Sequence, residues 1–306
     1  MLRNMKPKAI IEVGSNSLKL LIAEKTSNGF MPVHEEVIIT RLSRGMKNHR
    51  IQNAPLQKTL GVLKDFLSTC ENPHSIKSGL GSVSVQAFAT AALREAKNRK
   101  AIIEKIRRQT GLKIRVLSEK EEALCTSLGA LSDLPQDKKT RYVVVDIGGK
   151  STEFAAPPDV FLSIPIGAVS LYERFIRHDP PLKEEIRSMR NYISNVCKNA
   201  TCCVSAHGKN NRRFSVVGVG GTFTTLASLK RQQIHHYKMP AKELKRLFDK
   251  LCGMTVRERI EKTGIEKGRA DIIVPGAAIA LEILDMLGAK SVLISTRGVR
   301  YGCLGI

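Results

Sequence analysis

Two stretches of this chain repeat one another: AIIEVGSNSLKLLIAE at 9–24 and YVVVDIGGKSTEFAA at 142–156. Each is an apolar run that ends in an acid, Glu12 or Asp146, followed by a glycine turn with serine and a second apolar run. Short apolar runs punctuated by glycine predict strand, turn, strand. A hairpin alone cannot bury its faces, so each copy needs further strands and helices around it. An internal repeat of about 130 residues therefore predicts two related α/β halves.

Gly149-Lys150-Ser151 imitates the end of an ATP-binding P-loop, which would need a glycine at position 144 and a helix directly after. Position 144 is Val144, and Ser151 to Ala155 alternate in the manner of a strand. The turn belongs to a hairpin.

The length of 306 residues suits two domains. The polar segment SDLPQDKKTR at 132–141 marks the boundary, giving domains at 1–133 and 134–306 and leaving open whether the last helix packs back on the first. In the first half, strands are expected at 8–14, 18–25, 33–40, 84–90 and 113–118. Helices are expected through Leu56, Leu60, Leu63 and Leu67, from Ala92 through Ile106, and from Glu121 to Leu131. In the second half, strands are expected at 142–147, 160–165 and 214–218. Helices are expected from Val169, within 183–198, from Gly220, and over 275–288 with Gly288 as the stop. HGKNNRR at 207–213 reads as an exposed basic loop.

Fifty Lys and Arg against 28 Asp and Glu leave a net charge of +22, which concentrates anions and points to a polyanionic partner. Aromatic residues make up only 5%, with no Trp, which argues against a base-stacking nucleic-acid surface. No apolar run reaches the roughly 18 residues of a membrane span. Glu12 interrupts the apolar run of the basic N-terminus, so a cytoplasmic protein is expected. The seven cysteines are odd in number and contain no CxxC pair, which fits reduced thiols, the adjacent Cys202 and Cys203 included.

Three glycine turns offer backbone N–H groups and hydroxyls to phosphate oxygens: Gly14-Ser15-Asn16-Ser17, Gly148-Gly149-Lys150-Ser151-Thr152, and Gly220-Gly221-Thr222. Each alone is a tight turn. The ordered set, with the first two preceded by an acid, points to a phosphate-handling protein.

The segments SNSLKLLIAE, FATAALREAKN, SEKEEAL, DIGGKSTEF, IPIGAVSLYERF, VGGTFTTLA, RADIIVPGAAIALEIL and STRGVRYGCL resemble, in order, the exopolyphosphatase and guanosine pentaphosphate phosphohydrolase family in its short two-domain form. The resemblance implies two duplicated ribonuclease-H-like domains of the actin-like ATPase superfamily around a cleft. It implies hydrolysis of terminal phosphates from inorganic polyphosphate, with guanosine pentaphosphate as a further substrate, Mg²⁺ or another divalent cation as cofactor, and a homodimer. Carried over residue by residue, it makes Glu121 the carboxylate that activates water, with Glu122 as runner-up. Asp146 and Glu12 become metal ligands, Glu153 a residue that orients water or metal, and Arg94 a phosphate contact. Arg41, Lys19 and Arg269 are weaker candidates for phosphate.

Four departures from the family pattern stand out. Glu12 replaces the usual Asp, Lys150 the third glycine of the second turn, and Thr296 and Tyr301 the usual acids of the closing motif. One extra methylene at Glu12 displaces a carboxylate by about 1.5 Å, enough to cost on the order of 100-fold in rate. The alternative reading is therefore a catalytically weakened polyphosphate- or nucleotide-binding protein of the same fold.

Overall fold

The repeated stretch folds as the same hairpin twice. A computed structural model of the protein describes residues 6–27, 29–73, 76, 80–135, 140–158, 160–206 and 213–305. In the first half, β1 (Lys8–Val13) runs antiparallel to β2 (Ser17–Thr26), and the Gly14 N–H donates to the Ser17 carbonyl at 3.1 Å to close the turn. In the second, β6 (Thr140–Ile147) pairs with β7 (Thr152–Ala156), and the Gly148 N–H donates to the Ser151 carbonyl at 3.0 Å.

Each hairpin seeds a sheet of one topology. With β3 (Gly29–Ile39), β4 (Ser84–Ala89) and β5 (Ile114–Val116), the first sheet has the order β3-β2-β1-β4-β5, with β1, β4 and β5 parallel. The second is built with β8 (Val160–Ile164), β9 (Arg213–Val219), β10 (Lys238–Pro240) and β11 (Ser291–Ile294), in the order β10-β11-β9-β6-β7-β8. Reading inward from β8 gives the same 3-2-1-4-5 arrangement, extended by the short antiparallel edge strand β10.

The chain divides into two compact units, Met1–Glu122 with Val299–Ile306, and Ala123–Gly298. In the first, Ile10, Ile11, Leu20, Leu21 and Ile22 are all fully buried, so consecutive residues are covered on both sheet faces. Burying each such side chain contributes about 1.5–3 kcal/mol. The helix Asn53–Glu71 adds Leu56, Leu60, Leu63 and Phe66 to that core. Lys8 donates to the Leu304 carbonyl, Arg300 to the Leu20 carbonyl, and the Tyr301 hydroxyl to Glu35, so the chain's end is tied to the first sheet. In the second unit, the helix Ile273–Met286 is buried over twelve successive residues, the signature of a helix covered on all sides.

The single helix expected from Ala92 through Ile106 is two, Ala91–Glu95 and Arg99–Thr110. No glycine or proline breaks it. Ala96 turns extended, the Lys97 N–H donates to the His49 carbonyl, and Asn98 exchanges two hydrogen bonds with the Ile51 backbone at 3.0 and 3.1 Å. The helix expected within 183–198 runs from Lys183 to Ala206. The basic loop at 207–213 lies, but for Arg213, outside the described residues, as do positions 136–139 of the linker, residues 1–5 and the side chains of Cys202 and Cys203.

Among the described residues Cys70, Cys125, Cys197, Cys252 and Cys303 form no disulfide, and burial pushes the Cys197 thiol up to about 12 and those of Cys70 and Cys252 to about 11. No described helix is long and apolar enough to cross a membrane.

Candidate functional site

In the first unit, pairing of β1 with β2 sets Glu12 opposite Lys19, and the Lys19 ammonium lies 2.7 Å from the buried Glu12 carboxylate. Burying a carboxylate is costly unless a partner offsets its charge, and here the neighbouring strand supplies one. The turn itself is braced from behind. The Asn16 carbonyl accepts from the N–H groups of Thr40 and Arg41, and the Ser15 carbonyl from Ser43. Arg41 adopts a left-handed backbone with φ 55°, an uncommon state for a residue with a Cβ, directly beside this turn. Ser15 and Ser17 are buried.

In the second unit the same register position holds a carboxylate instead of a lysine: Asp146 faces Glu153 across β6 and β7. Glu153 is buried and accepts from the Ser163 hydroxyl at 3.1 Å. Two neighbouring carboxylates form a hard-oxygen donor set suited to Mg²⁺. The turn between them is locked to the helix Ala168–Phe175, whose Val169 and Ser170 N–H groups donate to the Gly149 carbonyl. A Cβ on Gly167 would lie 2.5 Å from the Lys150 nitrogen, so only glycine permits this approach. Lys150 is not among the described non-glycine residues with positive φ, Arg41, Asn48, His49 and His236. Its ammonium is 3.6 Å from Glu173. The Thr152 hydroxyl donates to the Ile166 carbonyl, and Ser151 is buried.

The third turn carries two charged groups. β9 leads into the helix Gly220–Ser228, where Gly220 has φ 84°. A Cβ on Gly220 would lie 2.2 Å from Asp146 Oδ1, and one on Gly221 only 1.6 Å from Arg269 Nη1. The glycine pair is therefore the space in which the Asp146 carboxylate and the Arg269 guanidinium rest against one helix start. Thr222, also buried, sits against Gly276, whose missing side chain leaves it room. Desolvation holds the Arg269 guanidinium below the usual arginine value, countered by Glu266. A partly buried cation at the positive end of a helix is repelled by the macrodipole, and an anion arriving there offsets the charge of both. Nothing local in RADII connects Arg269 to the glycines, which is why the sequence alone makes it only a weaker candidate for phosphate.

The helix Glu119–Ala130 begins with a reciprocal cap. The Ser118 N–H and hydroxyl donate to Glu121 Oε2 at 2.8 and 2.7 Å, while the Glu121 N–H donates to the Ser118 hydroxyl. Arg115 binds the other Glu121 oxygen. The Ser118 N–H first, then its hydroxyl and Arg115, hold the Glu121 carboxyl down at about 2. Glu122 points elsewhere. It is buried, and its Oε2 lies 2.5 Å from Arg94 Nη1. Arg94 also donates to the Leu117 carbonyl, whereas its buried Nη2 has no hydrogen-bond partner among the described residues. A buried guanidinium nitrogen without an acceptor keeps unused donor capacity of the kind a phosphate oxygen can meet.

The structure thus joins Arg94 with Glu122 and Glu12 with Lys19 in the first unit, and Asp146 with Glu153, Gly220, Gly221 and Arg269 in the second. Glu12 and Asp146, both expected as metal ligands, belong to different units.

The sequence model of the Ppx/GppA phosphatase family matches residues 21–305. The chain is 28% identical over 318 residues to exopolyphosphatase 2 of Mycobacterium tuberculosis, covering 96% of each protein. It is 27% identical to a bifunctional 3-dehydroquinate synthase/phosphatase of Fusobacterium nucleatum, of which it spans 46%. Among solved structures, an exopolyphosphatase from Cytophaga hutchinsonii superposes with a TM-score of 0.86 at 25% identity, covering 98% of this chain and 97% of that one.

Proposed function

This chain belongs to the Ppx/GppA phosphatase family, and from that premise we propose that it hydrolyses the terminal phosphoanhydride bond of inorganic polyphosphate, releasing orthophosphate. The observation that carries the proposal is the convergence of Asp146 and Arg269 on the Gly220-Gly221 helix start, where backbone N–H groups, a guanidinium and a carboxylate meet. The first two suit phosphate oxygens and the third suits a cation held against them. Asp146 and Glu153 are the residues proposed to hold Mg²⁺, which when bound would offset phosphate charge and polarise the phosphoryl group. Glu12 is a poor ligand, its charge being already matched by Lys19.

We assign proton transfer to Glu122, the runner-up of the sequence motif, rather than to Glu121. A carboxylate held at about 2, with both oxygens engaged, is a weak acceptor of a proton from water. Glu122 is paired with Arg94, whose buried Nη2 has no hydrogen-bond partner among the described residues and so keeps a donor that a phosphate oxygen could take if the site opens to substrate. Phosphate on Nη2 would draw the guanidinium's charge toward substrate and leave Glu122 to take the proton.

Guanosine pentaphosphate presents the same terminal anhydride and is proposed as a second substrate. The homodimer, too, is proposed on the family likeness, and light scattering of the purified chain tests it. Phosphate release from polyphosphates of several lengths and from guanosine pentaphosphate, with and without Mg²⁺, tests the function. Release that requires Mg²⁺ supports it. Binding with no release at any Mg²⁺ concentration moves the reading to a binding protein, which the neutralised Glu12 already favours.

A further inference from the structure

A second polar cluster in the Ala123–Gly298 unit takes no part in the chemistry above. Three segments supply it: the turn after the helix Glu119–Ala130 with Asp133, the loop before β10 with His235 and His236, and the residues after β11 with Thr296 and Arg297. One carboxylate oxygen of Asp133, Oδ2, is fully engaged, lying 2.8 Å from His235 Nε2 and 3.3 Å from Arg297 Nε. The other, Oδ1, is buried and accepts no hydrogen bond, with His236 Nε2 at 3.4 Å. One ligand atom from each of Asp133, His235 and His236 lies within 4.8 Å of the others. The two imidazoles stack at 4.0 Å, and His236 is held in a left-handed backbone, φ 62°, by donating its N–H to the Ile294 carbonyl at 2.7 Å. A residue with a Cβ reaches that conformation only where its surroundings impose it.

We infer that Asp133, His235 and His236 form a binding site for a divalent transition-metal ion such as Zn²⁺. A buried carboxylate oxygen with no donor, faced by two imidazoles from another segment, lacks only a cation. Two imidazoles with one carboxylate suit Zn²⁺, Co²⁺, Ni²⁺ or Cu²⁺, whereas Mg²⁺ selects all-oxygen sets. Arg297 fixes Oδ2 and so directs Oδ1 inward. The protons balance as follows. In the ion-free state His235 Nδ1 accepts from the Thr296 N–H at 3.1 Å, so its hydrogen is on Nε2 toward Asp133. Metal on Nε2 moves the ring hydrogen to Nδ1, so the Thr296 N–H gives up its acceptor and turns aside, the Thr296 hydroxyl oxygen at 3.2 Å accepts from Nδ1, and the ion replaces the Nε2 hydrogen in front of Asp133. His236, as a neutral ligand, gives up none.

Calorimetric titration of the metal-free, untagged chain with Zn²⁺ should give one equivalent bound, and a Co²⁺ titration should give visible bands without the near-ultraviolet intensity of thiolate ligation. Saturating Zn²⁺ should raise the melting temperature, because the ion ties three segments of the folded state. Asp133→Asn and His236→Ala should each abolish binding at micromolar Zn²⁺, and His235→Ala likewise. Removing the exposed ring of His236 takes away its stack on His235 but leaves the His235 and Arg297 contacts to Asp133 Oδ2, so His236→Ala keeps the test valid if Asp133→Asn fails to fold. Asp146→Asn should leave Zn²⁺ binding intact. Failure of the parent to bind Zn²⁺, or binding that survives His236→Ala, overturns the inference.

Discussion

Lys19 and Glu153 occupy the same register position in the two hairpins, so the duplicated acid faces an ammonium in one copy and a carboxylate in the other. The 2.7 Å contact of Lys19 with Glu12 therefore makes the first hairpin a neutral pair and leaves the second as the acidic one.

That pairing predicts a stability cycle. Lys19→Ala leaves Glu12 buried without its partner and should cost about 3 kcal/mol, toward the low end for broken buried pairs because Lys19 is partly exposed. Adding Glu12→Gln should return much of the loss, since the uncompensated charge is gone. Urea unfolding of the two single variants and the double variant measures the coupling. Purely additive effects would show that the contact is incidental.

Glu121 and Glu122 should separate when replaced by Gln. Glu122→Gln should lower turnover roughly 10²–10⁴-fold with little change in polyphosphate affinity, and Glu121→Gln should act mainly on stability. The sign of the pH effect follows from the depressed value of Glu121. The folded carboxyl titrates at about 2, below the ordinary value for an unfolded chain, so its contribution is present above about 4.5 and lost as pH falls toward 2. Acid unfolding of Glu121→Gln should be shallower than the parent's in that window. A turnover loss confined to Glu121→Gln would return the proton acceptor to that residue.

The hairpins were readable because their information is local: an apolar run, an acid, a glycine and a serine in order. The helix broken at Ala96 was not, because neither glycine nor proline marks the break and Asn98 disfavours a helix interior only mildly; what decides it is Asn98 bonding to Ile51, a contact made only after folding. The place of Arg269 was illegible for the same reason, being set by the missing Cβ of Gly221 in a distant segment. The different partners of two adjacent glutamates were also illegible as sequence. Spacing put Glu121 in the motif, but the same spacing makes it the partner of Ser118 in a helix cap.

Lys150 should respond in opposite directions to two changes. Lys150→Gly should preserve folding, because the turn is closed by backbone bonds from Gly148 and Gly149, and should weaken polyphosphate binding by roughly tenfold, the value of about 1.5 kcal/mol for one charge-assisted contact. Glu173→Gln should instead tighten binding, because it releases the ammonium 3.6 Å away. Equilibrium binding at low salt checks both. If neither variant shifts affinity, Lys150 is a tolerated replacement for glycine with no part in binding.

The Gly220-Gly221 pair gives a graded test of the phosphate site. Gly220→Ala meets two penalties at once: its φ of 84° costs an L side chain about 1–2 kcal/mol, and its Cβ would displace Asp146 Oδ1. Gly221→Ala meets only the far end of a flexible arginine, which can swing aside. Gly220→Ala should therefore behave as a partial Asp146→Asn, raising the Mg²⁺ concentration needed for half-maximal phosphate release, with excess metal restoring part of the rate. Gly221→Ala should behave as a partial Arg269→Ala, raising KM for polyphosphate with little change in Mg²⁺ requirement. Arg269→Lys should recover less than half of the lost affinity, since an ammonium cannot offer the planar pair of donors a phosphate accepts. Titrating Mg²⁺ at fixed polyphosphate, and polyphosphate at fixed Mg²⁺, resolves the two defects. If both glycine variants raise the Mg²⁺ requirement equally, Asp146 and Arg269 do not divide the work between metal and phosphate.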